Sequence, residues 1–208
     1  GEAAEVTAGD VEQSSLCHAR RCKRRGVDAS SRRFEASAAS AASAEDCLEL
    51  ALAEYSAGIH FNPRDGELWQ YAGVALWQLA RVEEAAGAFR RASDLNSRDA
   101  RPLNNLGVLC LEAAERASSA AERVSSAAAG AEEVVSVGDE ARLLQEALRW
   151  FRAACEVGAG QVGGDAELNV AVALVRLGRT EEALAHLERA AVAHPDHQRI
   201  KSTLGVLR

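Results

Sequence analysis

A 34-residue register runs through this chain, and it can be read four times. The clearest copy spans Gly66 to Asp99 and carries Trp69, Ala72-Gly73, Leu76, Ala85, Phe89 and Ala92. A period of this length holds one helical hairpin that cannot bury its apolar face alone, so neighbouring copies must stack. Counting Gly66 as position 1, Leu103, Leu106-Gly107 and Cys110 fill the first-helix positions of the next copy. After an interruption, Ala147, Phe151 and Ala154 fill its second-helix positions. A further copy offers Val170-Ala171, Leu174, Ala183, Leu187, Ala190 and Pro195. A partial copy ahead of the first ends in Ala51, Tyr55, Gly58 and Pro63. At the far end Leu204-Gly205-Val206-Leu207 repeats Leu106-Gly107-Val108-Leu109.

These residues resemble the tetratricopeptide-repeat (TPR) family, whose 34-residue pattern has a large residue, Leu-Gly, an aromatic, Ala, an aromatic, Ala and a closing Pro. The resemblance covers about residues 45 to 208, with Ala159 where one closing proline is expected. The residue types have a physical sense: glycine and alanine sit where two helices touch most closely, and large apolar side chains fill the gaps beside them. The implied fold is all-α, a right-handed superhelix of helix-turn-helix repeats (an α-solenoid). Its hairpins are expected at about 45–61, 66–95, 100–157 and 164–193, with a terminal helix from about Pro195.

Two departures from the repeat shape the expected organisation. Twelve residues separate Gly73 from Ala85, but forty separate Gly107 from Ala147, an insertion of 28 inside one hairpin. The insertion, about 113–138, contains a duplicated Ala-Ala-Glu-Arg-x-Ser-Ser-Ala, so its easiest structure continues the first helix as a spur to about Gly130. Residues 1 to 33 hold seven Arg or Lys against five Asp or Glu, whereas 34 to 208 hold 17 against 26. The solenoid, 34–208, is acidic; the arm, 1–33, is basic, lacks apolar periodicity and is expected to be disordered in isolation. Within the arm Arg20, Arg21, Lys23, Arg24 and Arg25 crowd together, a cluster that suits phosphates or an acidic protein surface. The helix expected to end at Asn62-Pro63 then stands as the second helix of a degenerate repeat whose first helix is weak or missing.

Chemistry is hard to place on these residues. Cys17-His18 to Cys22 offers three zinc ligands, but no second pair lies at finger-like spacing, and no metal or cofactor is expected. Gly158-Ala-Gly160-Gln-Val-Gly163 has the letters of a dinucleotide loop, yet it follows a helical segment instead of a strand, so it reads as an inter-repeat turn. His194 suits a helix C-terminus. No catalytic constellation emerges, and an enzyme is not expected. Cys110 and Cys155 occupy repeat positions as small apolar residues, which argues for a reducing intracellular compartment. The start at Gly1 and the lack of methionine suit either a processed mature chain or a fragment, and loss of a targeting segment would place the chain in a mitochondrion or plastid in preference to cytoplasm or cytoskeleton. No stretch approaches the roughly 18 apolar residues that span a bilayer.

What remains is surface. The resemblance implies that first helices line a concave groove, with positions 2, 5, 6, 9, 12 and 13 facing outward. The candidate partner-binding residues are Tyr71, Trp77, Asn104, Asn105, Asn169 and Arg176. Asn105 and Asn169 share position 6, where the family often pairs an asparagine amide with a peptide backbone; an amide both donates and accepts. Trp77 at position 12 is a large rigid anchor. The family's carboxylate clamps carry Lys or Arg where this chain has Asp165 and Asn169, so that mode is set aside. The expected function is a non-enzymatic scaffold, a structural or adaptor subunit bound to other protein subunits in a larger assembly. A reversible peptide-binding adaptor, and an RNA-associated organellar subunit using the arm, stay open as alternatives.

Overall fold

The computed structural model describes residues 19–27, 41–127, 135–158 and 163–208, and among these it contains helices and no strand. The helices are α1 (19–27), α2 (Ala41–Phe61), α3 (Gly66–Gln78), α4 (Val82–Leu95), α5 (Ala100–Ala127), α6 (Val135–Val157), α7 (Gly163–Arg176), α8 (Thr180–Ala193) and α9 (Gln198–Leu207). They fall into two compact units, Gly1–Asn96 and Ser97–Arg208.

The repeat register fixes where helices start. Asp65, the last position of its repeat, caps α3 by accepting from the backbone N–H of Glu67 (3.0 Å) and Leu68 (3.3 Å). Asp99, one period later, accepts from the Arg101 backbone N–H at 3.0 Å and from the Arg101 guanidinium. His197 fills the same position before α9, its Nδ1 accepting from the Ile200 N–H at 3.3 Å. Each cap satisfies donors that the first turn leaves orphaned. The terminal helix therefore begins at Gln198 and not at Pro195.

In the α3–α4 and α5–α6 hairpins the two helices meet at a glycine facing a ring. A Cβ on Gly73 would stand 2.6 Å from the Phe89 ring, and one on Gly107 2.5 Å from Phe151. Phe89 and Phe151 are fully buried. In the α7–α8 hairpin the pair is Ala171 with Leu187, both in one buried cluster, so a larger small residue meets a smaller large one.

In the first unit, α1 corrects the expected disordered arm over residues 19–27. Ala19, Cys22 and Gly26 are buried, and Gly26 packs directly under the Tyr55 ring of α2. Helix α1 is thus the first helix that the degenerate hairpin had seemed to lack. It forms because three small residues share one face, which lets Tyr55, Ala51, Leu68 and Ala72 close over Ala19. The rest of 1–33 lies outside the described residues.

In the second unit, the insertion lengthens both helices of its hairpin. Helix α5 runs for 28 residues and α6 for 23, against 13 or 14 in the regular hairpins. The α5 portion follows the expected continuation; the matching upstream extension of α6 to Val135 was not foreseen, and Gly130 lies outside the described residues. Arg176 at the end of α7 ties the two, meeting Glu115 of α5 at 3.2 Å and Glu140 of α6 at 3.1 Å.

The hairpin turns place Ala80 and Gly178 at the same repeat position with φ of 59° and 73°. Each is followed by a bidentate fork, Arg81 on Glu84 and Arg179 on Glu182. Left-handed backbone costs alanine about 1–2 kcal/mol and glycine little. Ala80→Gly should therefore stabilise the protein by about 0.5–1 kcal/mol and Gly178→Ala should destabilise it by a similar amount, read as urea midpoints.

Candidate functional site

Many of the outward positions of the first helices hold half-buried side chains, while Gln70 and Leu168 at position 5 are buried and Gln78 and Asp165 are exposed. In the second unit, Asn104, Asn105, Val108 and Leu111 of α5 and Asn169, Val172 and Val175 of α7 are all partly buried. Val108, Leu111 and Val175 rest against the buried core cluster. Asn169 Nδ2 donates to Asn104 Oδ1 at 3.0 Å, joining α5 to α7 across 65 residues of sequence. That bond was missed in the sequence, although asparagines at positions 5 and 6 of successive copies were the signal for it. It commits one amide donor of Asn169 inside the protein and leaves Asn105 on the same strip. Arg176, also a groove candidate, is held by Glu115 and Glu140 as described above, with its side chain 22 % exposed.

In the first unit, Tyr71 stacks on Tyr55 with ring centroids 5.7 Å apart. The ammonium of Lys23 lies 5.7 Å from the Tyr71 centroid and forms an ion pair with Glu67. The structure thus brings one arm residue and one groove residue together. Arg25 reaches Glu54 at 3.8 Å, while Arg20, Arg21 and Arg24 stand exposed on α1. Trp77 is partly buried on α3. Trp69 is also partly buried, with its indole N–H donating to the Pro63 carbonyl at 3.0 Å.

The second-helix side of the second unit holds a different cluster. Glu167 of α7 accepts a hydrogen bond from the Cys155 thiol of α6 and contacts His186 of α8. Burial, with Glu167 beside it, pushes the thiol up to about 12, so at neutral pH it is a protonated thiol and not a nucleophile. Burial also lowers His186, and Arg189 and Arg152 add to this against the pull of Glu167. His186 lines a groove of about 820 Å³ together with Arg152, Leu174, Glu182, Arg189 and Val192. Among the described residues no group of three or more His, Cys, Asp or Glu is placed to hold a metal ion, and no helix is long and apolar enough to cross a membrane. Cys17 and His18 lie outside the described residues.

Solved structures decide the fold. The chain is similar to a crystal structure of the MamA protein, at 13% identity over 96% of this chain and 81% of that one, with a TM-score of 0.57. It is similar to pilF of Pseudomonas aeruginosa, at 12% identity over 89% of this chain and 68% of that one, TM-score 0.60. A thermophilic TPR protein of Thermus thermophilus, TTC0263, matches at 18% identity over 91% of this chain and 80% of that one, TM-score 0.59. The chain has the TPR fold. No protein-family model matches the sequence, and neither does any curated relative. At 12–18% identity the likeness is one of fold.

The His186 site makes stability pH-dependent in a definite direction. An imidazole held below its ordinary value of about 6.5 protonates more readily in the unfolded chain, so the stability it confers is present above that pH and lost as pH falls through the folded-state value. His186→Leu should therefore lose less stability than the parent between about pH 7.5 and about pH 5, measured as urea midpoints.

Proposed function

We propose that this chain is a non-enzymatic protein-interaction scaffold, a structural or adaptor subunit held within a larger multiprotein assembly. The observation that carries the reading is the half-buried strip on α5 and α7: Asn105, Val108, Leu111, Val172 and Val175, with Val108, Leu111 and Val175 packed on the core and the two helices cross-tied by the Asn169–Asn104 bond. Apolar side chains already immobilised lose little conformational entropy when covered, and amides among them can pair with a partner's backbone. Trp77 offers the first unit an aromatic anchor of the kind that dominates interfaces.

The adaptor reading with a reversible peptide ligand uses the same strip, and Asn105 would be its main-chain contact. An RNA-associated role would rest on Arg20, Arg21 and Arg24, which stand exposed on one short helix. It differs in one measurable respect, since affinity for RNA would fall steeply with salt.

Removing residues 1–33 would also remove the helix under Tyr55, so charge reversal is the cleaner probe of the arm. A pull-down from the native source should recover less partner with Trp77→Ala, by about 2 kcal/mol or roughly 30-fold in affinity, and less with Asn105→Ala. Arg20→Glu with Arg24→Glu should weaken recovery at low salt only. Circular dichroism should show the fold intact in each variant. Unchanged recovery with Trp77→Ala and Asn105→Ala would remove the first-helix face as the working surface.

A further inference from the structure

The groove of about 820 Å³ on the second-helix side of the second unit has a counterpart of about 490 Å³ in the first. The two are built alike: second helices form the walls, α6 and α8 in one and α2 and α4 in the other, over a leucine of the first helix between them, Leu174 or Leu76. Beyond the turn fork that both units share, Arg179–Glu182 and Arg81–Glu84, their chemistry differs. In the α2–α4 groove four repeat positions hold small or apolar residues, Ser56, Ile59, Trp69 and Ala88. The same positions in the second unit hold Arg152, Cys155, Glu167 and His186. The repeat therefore makes this groove without those polar groups, and packing alone does not call for them.

Charge in the α6–α8 groove is unbalanced. Its acids are taken, Glu182 by Arg179 at 2.6 Å and Glu188 by Arg208 at 2.8 Å. Arg152 and Arg189 are exposed and make no ion pair among the described residues. His186 turns Nε2 to Glu167, and its Nδ1 has no partner among the described residues. We propose that this groove holds an acidic side chain from an extended segment of a partner protein, its carboxylate paired by Arg152 and Arg189 and hydrogen-bonded by His186. The scaffold reading supplies the kind of occupant, a protein, and the inference rests on it to that extent. Guanidinium groups suit a carboxylate because they present paired N–H donors. A run of phosphates fits worse, since Glu181, Glu182 and Glu188 stand on the same helix and residues 34–208 hold 17 basic against 26 acidic groups. Around His186 stand Arg152 and Cys155 of α6, Glu167 of α7, and Glu182 and Arg189 of α8. Burial and the two arginines hold the free imidazole below its ordinary value. A bound carboxylate offsets the arginines, so the imidazole takes up a proton from solvent and donates it through Nδ1. Binding then strengthens as pH falls.

The test is a titration of the full chain with a short peptide of alternating leucine and glutamate, followed through the histidine ring protons by NMR. The His186 signals, assigned by their loss in His186→Gln, should move saturably, and affinity should rise about threefold or more between about pH 7.5 and about pH 6. Arg152→Gln and Arg189→Gln replace exposed side chains, so the melting temperature should hold, while each weakens binding about fivefold or more. The same peptide with glutamine in place of glutamate should not bind. No saturable shift, an equal response to the glutamine peptide, affinity that does not rise as pH falls, or binding indifferent to both arginine changes overturns the proposal. Tighter binding of inorganic phosphate or of an RNA oligonucleotide, lost in the same variants, would give the groove to phosphate and overturn it also. Trp77→Ala should leave the titration unchanged, so the first-helix pull-down and this groove can fail independently.

Discussion

The fit of a ring over a missing side chain is the contact on which the α1–α2, α3–α4 and α5–α6 hairpins depend. Helices of 13 or 14 residues, such as α3, α4, α7 and α8, are marginal in water unless tertiary packing holds them. Phe89 over Gly73 and Phe151 over Gly107 supply that packing at the closest approach of each pair. Alanines at the flanking positions, Ala85 and Ala92 or Ala147 and Ala154, are fully buried and let the second helix lie flat beside the first. Once the pair is set, the outward face of the first helix is set with it, including the half-buried strip on α5 and α7.

This dependence explains which features were legible. Small and aromatic residues must recur in phase because the contact recurs, so the hairpins from Gly66 onward could be read from the letters alone. Helix α1 could not. Gly26 precedes Ala51 by 25 residues where the regular spacing is 12, and its surroundings are arginines, so the contact is made without the phase. The upstream part of α6 escaped for a related reason: it pairs with the prolonged α5 outside the repeat and has no copy elsewhere to match. The Asn169–Asn104 bond joins two residues whose types were noticed, but a side-chain pairing across 65 residues leaves no periodic trace.

Charge plays a local role in this acidic chain. Arg81–Glu84 and Arg179–Glu182 lock equivalent hairpin turns, Arg176 joins α7 to the long α5–α6 pair, and Lys23 joins α1 to α3 through Glu67. Exposed pairs of this sort contribute little stability each. Their value is positional, since they recur where a helix must turn or a neighbour must be held. Asp99 shows the same logic in a buried setting: burial would raise its carboxyl, but the hydrogen bonds from Arg101 outweigh it and hold the group below its ordinary value.

The glycine–ring contact can be tested by exchange, because the fourth hairpin uses Ala171 with Leu187 in the same two positions. The measurement is a double-mutant cycle of Gly107→Ala and Phe151→Leu, with stability from urea denaturation. Gly107→Ala alone should cost about 1–3 kcal/mol, because the new methyl meets the Phe151 ring. With Phe151→Leu present the same change should cost far less, giving a favourable coupling of about 1 kcal/mol or more. Additive losses would mean that the glycine and the ring act separately, and would contradict the account.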